Sequence, residues 1–403
     1  MFSSTVRRAI AGASIMAALA VSPVSSVAAA DAPGGYGSVV SHQPYKISEE
    51  IHGKAELIIH DMPSVTGKPT EASTLLFVPN GKAPAGGWPV IAWAHGTTTP
   101  GDKRCAPSLT LDLDGGLTRD GFKSDYLYEV ATLVNAGYAV VAPDFEGLGD
   151  VAEVPLPYFN ASSLSRSLIS GVVAAHEING QLSKKYVSVG HSDGGHAVLG
   201  VEAFTKEAPE FDYLGTVAIA PYTAIAATVS ELAKKAKDDP AHAADFTALA
   251  NFHVGLMATG LSVIDPSFDP SSIMGKDLAS LLGGFKTKCS VPAIGAVTEA
   301  VKAKGEAFDG YKANWAASPR MADFLERNDV AVDPNFRLTK PTLILVGTKD
   351  PFIFNDLTEQ LVKRLETAGT PITYKEYPDN DHFTVIRTSQ SDIMAFLRER
   401  FTN

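Results

Sequence analysis

Cysteine is scarce in this sequence, with only Cys105 and Cys289 in 403 residues. Two cysteines cannot build a multi-disulfide scaffold, and neither has a Cys or His nearby at the spacing of a zinc site. The sequence therefore predicts no metal site at the cysteines. In an exported chain the two are candidates for a single disulfide, and two separate free thiols are the alternative.

Positive charge is also limited, because 34 Lys and Arg stand against 45 Asp and Glu, for a net charge of −11. Such a chain repels phosphate backbones, and no basic cluster interleaved with aromatics opposes this, so no nucleic-acid partner is expected. Asp112, Asp114 and Asp120 could suggest a calcium loop. Their spacing misses the EF-hand pattern and its closing Glu, which favours a solvated loop.

After the N-terminus, no apolar run long enough to cross a bilayer is expected. At the N-terminus, a short apolar run follows two arginines, Arg7 and Arg8. The run Ala9–Val21 is shorter than the roughly 20 apolar residues of a comfortable membrane span. Three small residues, Ala28–Ala30, stand where a signal peptidase could cut. Residues 1–30 are therefore predicted to be a signal peptide cleaved near Ala30, which would make the protein extracellular or periplasmic. An uncleaved anchor is the alternative.

Apolar runs of strand length alternate with longer helical stretches, which predicts a mostly parallel sheet covered by helices. The predicted strands are 56–61, 73–78, 88–94, 138–142, 186–189, 214–220, 342–346 and 372–377. The predicted helices between and after them are 124–136, 163–179, 194–208, 355–368 and 389–401. This order is typical of a doubly wound α/β fold.

One connection is far too long for this pattern. About 120 residues separate Pro221 from Pro341, whereas a βα loop usually has about 2–6. The stretch is rich in Ala, Leu and Gly, with helical runs at 224–237 and 241–261. We therefore expect a core in two parts, 31–220 and 341–403, with a helical cap at 221–340 that walls a site at the sheet edge. A second domain without a catalytic role is the alternative.

A five-residue motif, Gly190-His191-Ser192-Asp193-Gly194, lies between a predicted strand and a predicted helix. Small flanking residues allow the sharp turn that presents a serine hydroxyl at a helix N-terminus. The motif alone is weak, since glycine-rich chains match it by chance. In this context it predicts that Ser192 is a nucleophile.

A serine hydroxyl needs a base, and in this fold class the acid and then the histidine follow it in the chain. His382 lies in a loop after the last predicted strand, whereas His196 follows the serine by one helical turn and is expected to pack. His242 and His253 lie inside the cap. Asp350 ends a strand in the right order. The rival acids are less suited: Asp379 and Asp381 lie too close to His382, and Asp356 is expected to cap a helix.

The tetrahedral intermediate of an acyl transfer needs backbone N–H donors. One is expected from Asp193, directly after the nucleophile. The second is expected from the loop after an early strand, His95-Gly96-Thr97, with Thr97 as the donor and Thr98 as its neighbour.

Three segments together resemble the secretory lipase family, the α/β hydrolases related to Candida antarctica lipase A. They are Gly190–Ala197, Ala94–Thr97 with Cys105–Ser108, and Asp144–Gly149 followed by Pro157-Tyr158. The resemblance implies an α/β-hydrolase fold with a lid that cleaves carboxylic esters, often of acylglycerols, without a cofactor. Leu156 stands where the family often has His, and the insertion is variable, so no acyl-chain preference carries over.

These observations predict a secreted serine hydrolase, a lipase or esterase with Ser192, His382 and Asp350 as its triad. The expected substrate is a small-molecule or lipid ester, with the cap as the place where a lipid interface could be contacted. A serine peptidase or acyltransferase would use the same triad. A catalytically silent binding protein on this fold is the alternative from another class.

Overall fold

The computed structural model describes residues 36–110 and 126–402. The predicted signal peptide, residues 1–30, lies outside the described residues. The acidic segment around Asp112, Asp114 and Asp120 also lies outside them.

A single sheet of nine strands organises the described residues. Its order is β1-β2-β3-β5-β4-β6-β7-β8-β9; the pairs from β1 to β5 are antiparallel and all the others are parallel. The predicted mostly parallel α/β sheet is thus confirmed. The strands are β1 Val39–Tyr45, β2 Gly53–Pro63, β3 Pro69–Pro79, β4 Trp88–Ala94, β5 Ala139–Pro143, β6 Leu182–His191, β7 Asp212–Ile219, β8 Thr342–Gly347 and β9 Ile372–Tyr377.

The central parallel strands are buried because helices cover them, and β5 and β8 are buried at every position, whereas the edge strand β9 has no fully buried position. The α-helices are α1 Pro107–Thr110, α2 Tyr126–Asn135, α3 Ala161–Ile178, α4 Asp193–Gly200, α5 Ile225–Asp238, α6 Ala243–Ile264, α7 Lys276–Phe285, α8 Ser290–Lys304, α9 Pro319–Asn328, α10 Asn355–Thr367, α11 Thr384–Thr388 and α12 Gln390–Thr402. Short 3₁₀ helices occupy Lys103–Cys105, Val201–Glu207, Pro270–Ser272, Gly305–Ala307 and Trp315–Ala317.

Two expectations about the elements need correction. The helix predicted for 194–208 is α-helical only to Gly200 and continues as a 3₁₀ helix over Val201–Glu207. Glycine has a low helix propensity, and Gly200 stands where the geometry changes. Asp356 is not an N-cap, because α10 begins at Asn355 and Phe354 precedes it. Its carboxylate lies in the first turn, near the positive end of the helix dipole.

The residues between β7 and β8 form a helical insertion, α5 to α9, which we call the cap. Its longest helix is α6, 22 residues with an apolar window of mean hydropathy 1.4, of which 67% is buried in the fold. By length and composition alone α6 could cross a membrane. The prediction that no apolar stretch of that length follows the N-terminal run was therefore wrong. Its burial is that of a core helix, because α5 and α8 pack against it.

One disulfide joins the cap to the core. Cys105 lies in the segment after β4, and Cys289 directly precedes α8. The pair spans 184 residues of sequence, and no other cysteine is present. The connection fixes the middle of the cap, between α7 and α8, against the segment that follows β4.

Candidate active site

The register of the parallel strands brings several strand ends to one edge of the sheet. Ala94 at the end of β4 pairs with Gly190 near the end of β6. On the other side Gly347, at the end of β8, pairs with Tyr377, at the end of β9. Because parallel strands deliver their loops at a common edge, the loops after these four strands meet there.

Ser192 occupies the turn between β6 and α4 with φ 59° and ψ −118°. A non-glycine residue in this region is strained and needs firm support. The Ser192 amide donates to the carbonyl of Ile219 at 2.9 Å, and its carbonyl accepts the Tyr222 amide at 2.9 Å. A Cβ atom at Gly190 would overlap Gly194, and one at Gly194 would overlap the backbone of Ala94. The small residues of the motif are therefore required by close packing.

Three side chains from three loops form a continuous line of hydrogen bonds. Ser192 Oγ lies 3.0 Å from Nε2 of His382, and Nδ1 of His382 lies 2.6 Å from Oδ2 of Asp350. Ser192 and His382 are buried, and the side chain of Asp350 has no exposed surface. The structure thus brings together the serine, histidine and acid that the sequence singled out.

The Asp350 carboxylate is held in place by its own loop. Its Oδ1 accepts the amides of Phe352 and Ile353 at 2.8 and 2.9 Å, which leaves Oδ2 for His382. The rival acids are used elsewhere. Asp379 forms an ion pair with Lys349, and Asp381 accepts the amides of Phe383 and Thr384 at the start of α11.

A second series of hydrogen bonds, through Tyr126 and His191, connects the loop after β4 to the loop that carries His382. The Gly96 amide donates to Tyr126 Oη at 2.8 Å, and Tyr126 Oη lies 2.9 Å from Nδ1 of His191. Nε2 of His191 lies 2.7 Å from the carbonyl oxygen of His382 and must carry the proton, because a carbonyl only accepts. Burial and the nearby His382 hold the pKa of His191 well below its usual range, so the ring is neutral. These hydrogen bonds hold the His382 loop against the end of β6, just before Ser192, and against the Gly96 loop.

The two predicted backbone donors are Thr97, in the loop after β4, and Asp193, directly after Ser192. Asp193 is the first residue of α4, where backbone N–H groups have no partner within the helix. The carbonyl of Gly96 lies 2.7 Å from the buried His95 Nδ1. Since C=O and N–H of a trans peptide point in opposite directions, the Thr97 N–H is directed away from His95.

The carbonyls of Thr97 and Thr98 are held by the cap. Ser290 donates its hydroxyl to Thr97 at 3.0 Å and its amide to Thr98 at 2.9 Å. The Thr99 hydroxyl donates to the carbonyl of Lys288 at 2.9 Å. The loop after β4 is therefore anchored by residues on both sides of Cys289.

The side chain of Asp193 is buried, and no described residue bonds its Oδ1. Burial raises its pKa to about 7. Two buried tyrosines, Tyr158 and Tyr222, lie near enough for its charge to raise their pKa values further. The motif predicted the backbone of Asp193 as a donor, and it carried no signal for this side chain.

An active-site cavity with about 590 Å³ of empty volume opens beside Ser192 and His382. The core contributes aromatic side chains and Thr97, and the cap contributes residues of α6 and α8. The cap residues are Leu249, Phe252, His253, Leu256, Ser290 and Ile294. His253, for which no role was predicted from the sequence, lines the cavity. His196 stacks on Phe159 with ring centroids 4.2 Å apart, as expected for a packing residue.

No cluster of three or more His, Cys, Asp or Glu that could hold a metal ion occurs among residues 36–110 and 126–402. The groups gathered at the cavity include the Ser192 hydroxyl and the imidazoles of His191, His253 and His382. This set is suited to nucleophilic and proton-transfer chemistry.

Solved structures resemble this one in fold at low sequence identity. Candida antarctica lipase A in its closed state matches with a TM-score of 0.70 and 16% identity, covering 91% of this chain and 83% of that one. The rice cell wall degrading esterase LipA from Xanthomonas oryzae matches at 0.66 and 16%, covering 91% and 98%. A putative hydrolase from Legionella pneumophila matches at 0.69 and 18%, covering 90% and 97%.

No curated protein matches the chain in sequence. A family model described as the alpha/beta hydrolase family matches residues 90–392, which is well over half of the chain and includes most of β4, the Ser192 turn, the cap and the His382 loop. The fold, the sheet order and this match agree, and the chain belongs to the α/β-hydrolase family.

Proposed function

We propose that the protein is a serine hydrolase that cleaves carboxylic esters. The observation that carries the proposal is the hydrogen-bonded line of Ser192, His382 and Asp350 beside the active-site cavity. A hydroxyl within reach of an imidazole, itself oriented by a carboxylate, is the arrangement that activates a serine.

Each group has a defined part in this proposal. Ser192 Oγ attacks the ester carbonyl while His382 Nε2 takes the hydroxyl proton, and the carbonyl oxygen becomes an oxyanion bound by the N–H groups of Thr97 and Asp193. His382 then returns the proton to the departing alkoxide, leaving an acyl-enzyme. Water, deprotonated by His382, attacks that acyl group and releases the acid, and the proton returns to Ser192. Asp350 holds the imidazole and stabilises its charged form throughout.

The lining of the cavity favours small substrates. It is lined mainly by aromatic and aliphatic side chains and is covered by the cap. Among the described residues, the large hydrophobic side chains with substantial exposure are Val40 and Val332, so this conformation presents little apolar surface to a lipid. We therefore propose water-soluble esters as the first substrates, with a lipid interface as the alternative.

Export is part of the proposal. A disulfide is compatible with an oxidising compartment, and the segment before residue 31 has the composition of a signal peptide. Mass spectrometry of the protein recovered from culture medium or periplasm is expected to give an N-terminus at or near Asp31. Recovery of the chain with residues 1–30 still attached would contradict the proposal.

The test is Ser192→Ala, assayed with p-nitrophenyl butyrate. Removing the nucleophile is expected to lower kcat by about 10⁶-fold, with the melting temperature nearly unchanged. Ser230→Ala, on the exposed face of α5, is the matched control and is expected to keep full activity. Undiminished turnover by Ser192→Ala would contradict the assignment.

A fluorophosphonate probe separates the alternatives. It is expected to label Ser192 in the wild-type protein, and failure to label would favour a catalytically silent binding protein. Parallel assays with peptides and with competing alcohol acceptors distinguish an ester hydrolase from a peptidase or an acyltransferase.

A further inference from the structure

His253 stands near the middle of α6 and is the cap's one histidine on the active-site cavity. It is almost fully buried, and its ring stacks on Tyr222 with centroids 5.2 Å apart. Nδ1 of His253 is hydrogen-bonded to the Tyr222 hydroxyl. Tyr222 lies where the chain enters the cap, three residues after the end of β7, and its amide donates to the carbonyl of Ser192.

The position of the proton on His253 follows from its surroundings. Burial, and secondarily the charge of His382, lower the pKa of His253 to about 3, so the ring is neutral and carries one N–H. The Tyr222 hydroxyl keeps its proton because burial raises its pKa well above the usual value. Among the described residues His253 is its hydrogen-bond partner, so Tyr222 donates to Nδ1 and the ring proton is on Nε2.

Nε2 of His253 is therefore a buried donor. No described residue accepts from it, and because its exposed area is close to zero, a ligand oxygen reaches it only when a neighbouring side chain of the cavity moves aside. A buried donor without an acceptor is unfavourable, and a ligand that supplies an acceptor oxygen removes that cost. The ring lines the same cavity as Ser192 and His382, where the substrate of the proposed reaction would lie.

We propose that His253 is a substrate-binding residue, and that the enzyme selects esters carrying a second oxygen acceptor, such as an ether or hydroxyl, a few atoms from the scissile bond. The inference rests on the proposed ester hydrolysis and adds the class of ester. The acceptor belongs to either the acyl chain or the alcohol, and both place an uncharged oxygen against Nε2. A site built to hydrogen-bond a substrate group discriminates against analogues that lack it.

The test compares esters that differ by one oxygen for one methylene. The acyl pair is p-nitrophenyl 3-methoxypropanoate and p-nitrophenyl pentanoate; the alcohol pair is 2-methoxyethyl butyrate and butyl butyrate. Each kcat/KM is divided by the rate constant for hydrolysis by hydroxide, which removes intrinsic reactivity. One net hydrogen bond predicts that wild type prefers the ether in one pair by about tenfold. The pair that shows it identifies the side of the ester.

His253→Leu is expected to reduce this ratio to about one. His253→Gln, which keeps an N–H donor on a side chain of similar length, is expected to recover part of it. His242→Leu, at the exposed start of α6, is the matched control and should keep the wild-type ratio. Because a ratio cancels a general loss of activity, a merely structural role for His253 would not change it.

The outcomes separate the two proposals. A wild type that hydrolyses both members of each pair equally, with the same ratio in His253→Leu, overturns the inference and leaves ester hydrolysis standing. A wild type that hydrolyses none of the four esters overturns the proposed function, and the inference with it.

Discussion

Removing the Cys105–Cys289 disulfide is expected to affect stability and catalysis separately. The bond closes a loop of 184 residues that contains β5 to β7 and most of the cap. Its partner segment, Lys288 to Ser290, also holds the Thr97–Thr99 loop through three hydrogen bonds. The perturbation is the double variant Cys105→Ser with Cys289→Ser, or reduction of the wild-type protein.

The expected loss of stability follows from the length of the closed loop. The chain-entropy relation gives about 5 kcal/mol at 25 °C for a loop of this size. An unfolding entropy of about 2.1 cal/mol/K per residue gives roughly 0.8 kcal/mol/K for the whole chain. The melting temperature is therefore expected to fall by about 6 °C, as measured by calorimetry at a fixed scan rate.

The expected loss of activity follows from the anchoring of Thr97. A donor displaced by about 1 Å can lower kcat by roughly 10- to 100-fold, with less effect on KM. The assay is p-nitrophenyl butyrate hydrolysis at 20 °C, with circular dichroism to show that the variant is folded. Ser290→Ala removes only the hydroxyl bond to Thr97 and is expected to lower kcat by about threefold to tenfold, without the large thermal shift. An unchanged melting temperature would refute the entropic argument, and an unchanged kcat in both variants would refute the anchoring argument.

Two further predictions test the electrostatics of the buried groups. Asp350→Asn is expected to lower kcat by about 10⁴-fold while leaving the melting temperature nearly unchanged, because an amide does not hold the reactive tautomer of His382; a loss below tenfold would show that another group orients the ring. His196→Leu is expected to reduce the sensitivity of the fold to acid. Burial lowers the pKa of His196 to about 3, against about 6.5 in the unfolded chain, so the unfolded state binds the extra proton as the pH falls below 6.5. At pH 5 this residue costs about 2 kcal/mol relative to pH 7.5, and the variant should show a smaller fall in melting temperature between those pH values. Equal falls in the two proteins would contradict this.

The central strands are predictable because strands that are buried on both faces consist of continuous apolar runs. Ala139–Pro143 and Thr342–Gly347 are buried at every position, and the structure places both within a residue of the predicted bounds. The edge strand Val39–Tyr45 was missed because most of its side chains are exposed. Such a strand is held by its pairing with β2, which local sequence does not report.

The three residues of the hydrogen-bonded line could be named because each follows a strand and their order along the chain is fixed by the fold class. His253 could not be named in this way. Most positions in the central part of α6 are buried, so the apolar pattern does not indicate which face of the helix meets the cavity. The role of Tyr222 could not be predicted either, because its hydroxyl gains a partner only when α6 packs over the sheet.

The cap enters and leaves the sheet between β7 and β8, which are neighbours in it. An insertion between adjacent strands can be exchanged without altering the strand order, so new caps could be grafted onto this scaffold to change what it accepts. Such a graft would have to bring its own equivalents of Cys289 and Ser290, because these two residues hold part of the core, the Thr97 loop. A cap chosen only for the shape of its cavity would leave the Thr97 loop without its anchor.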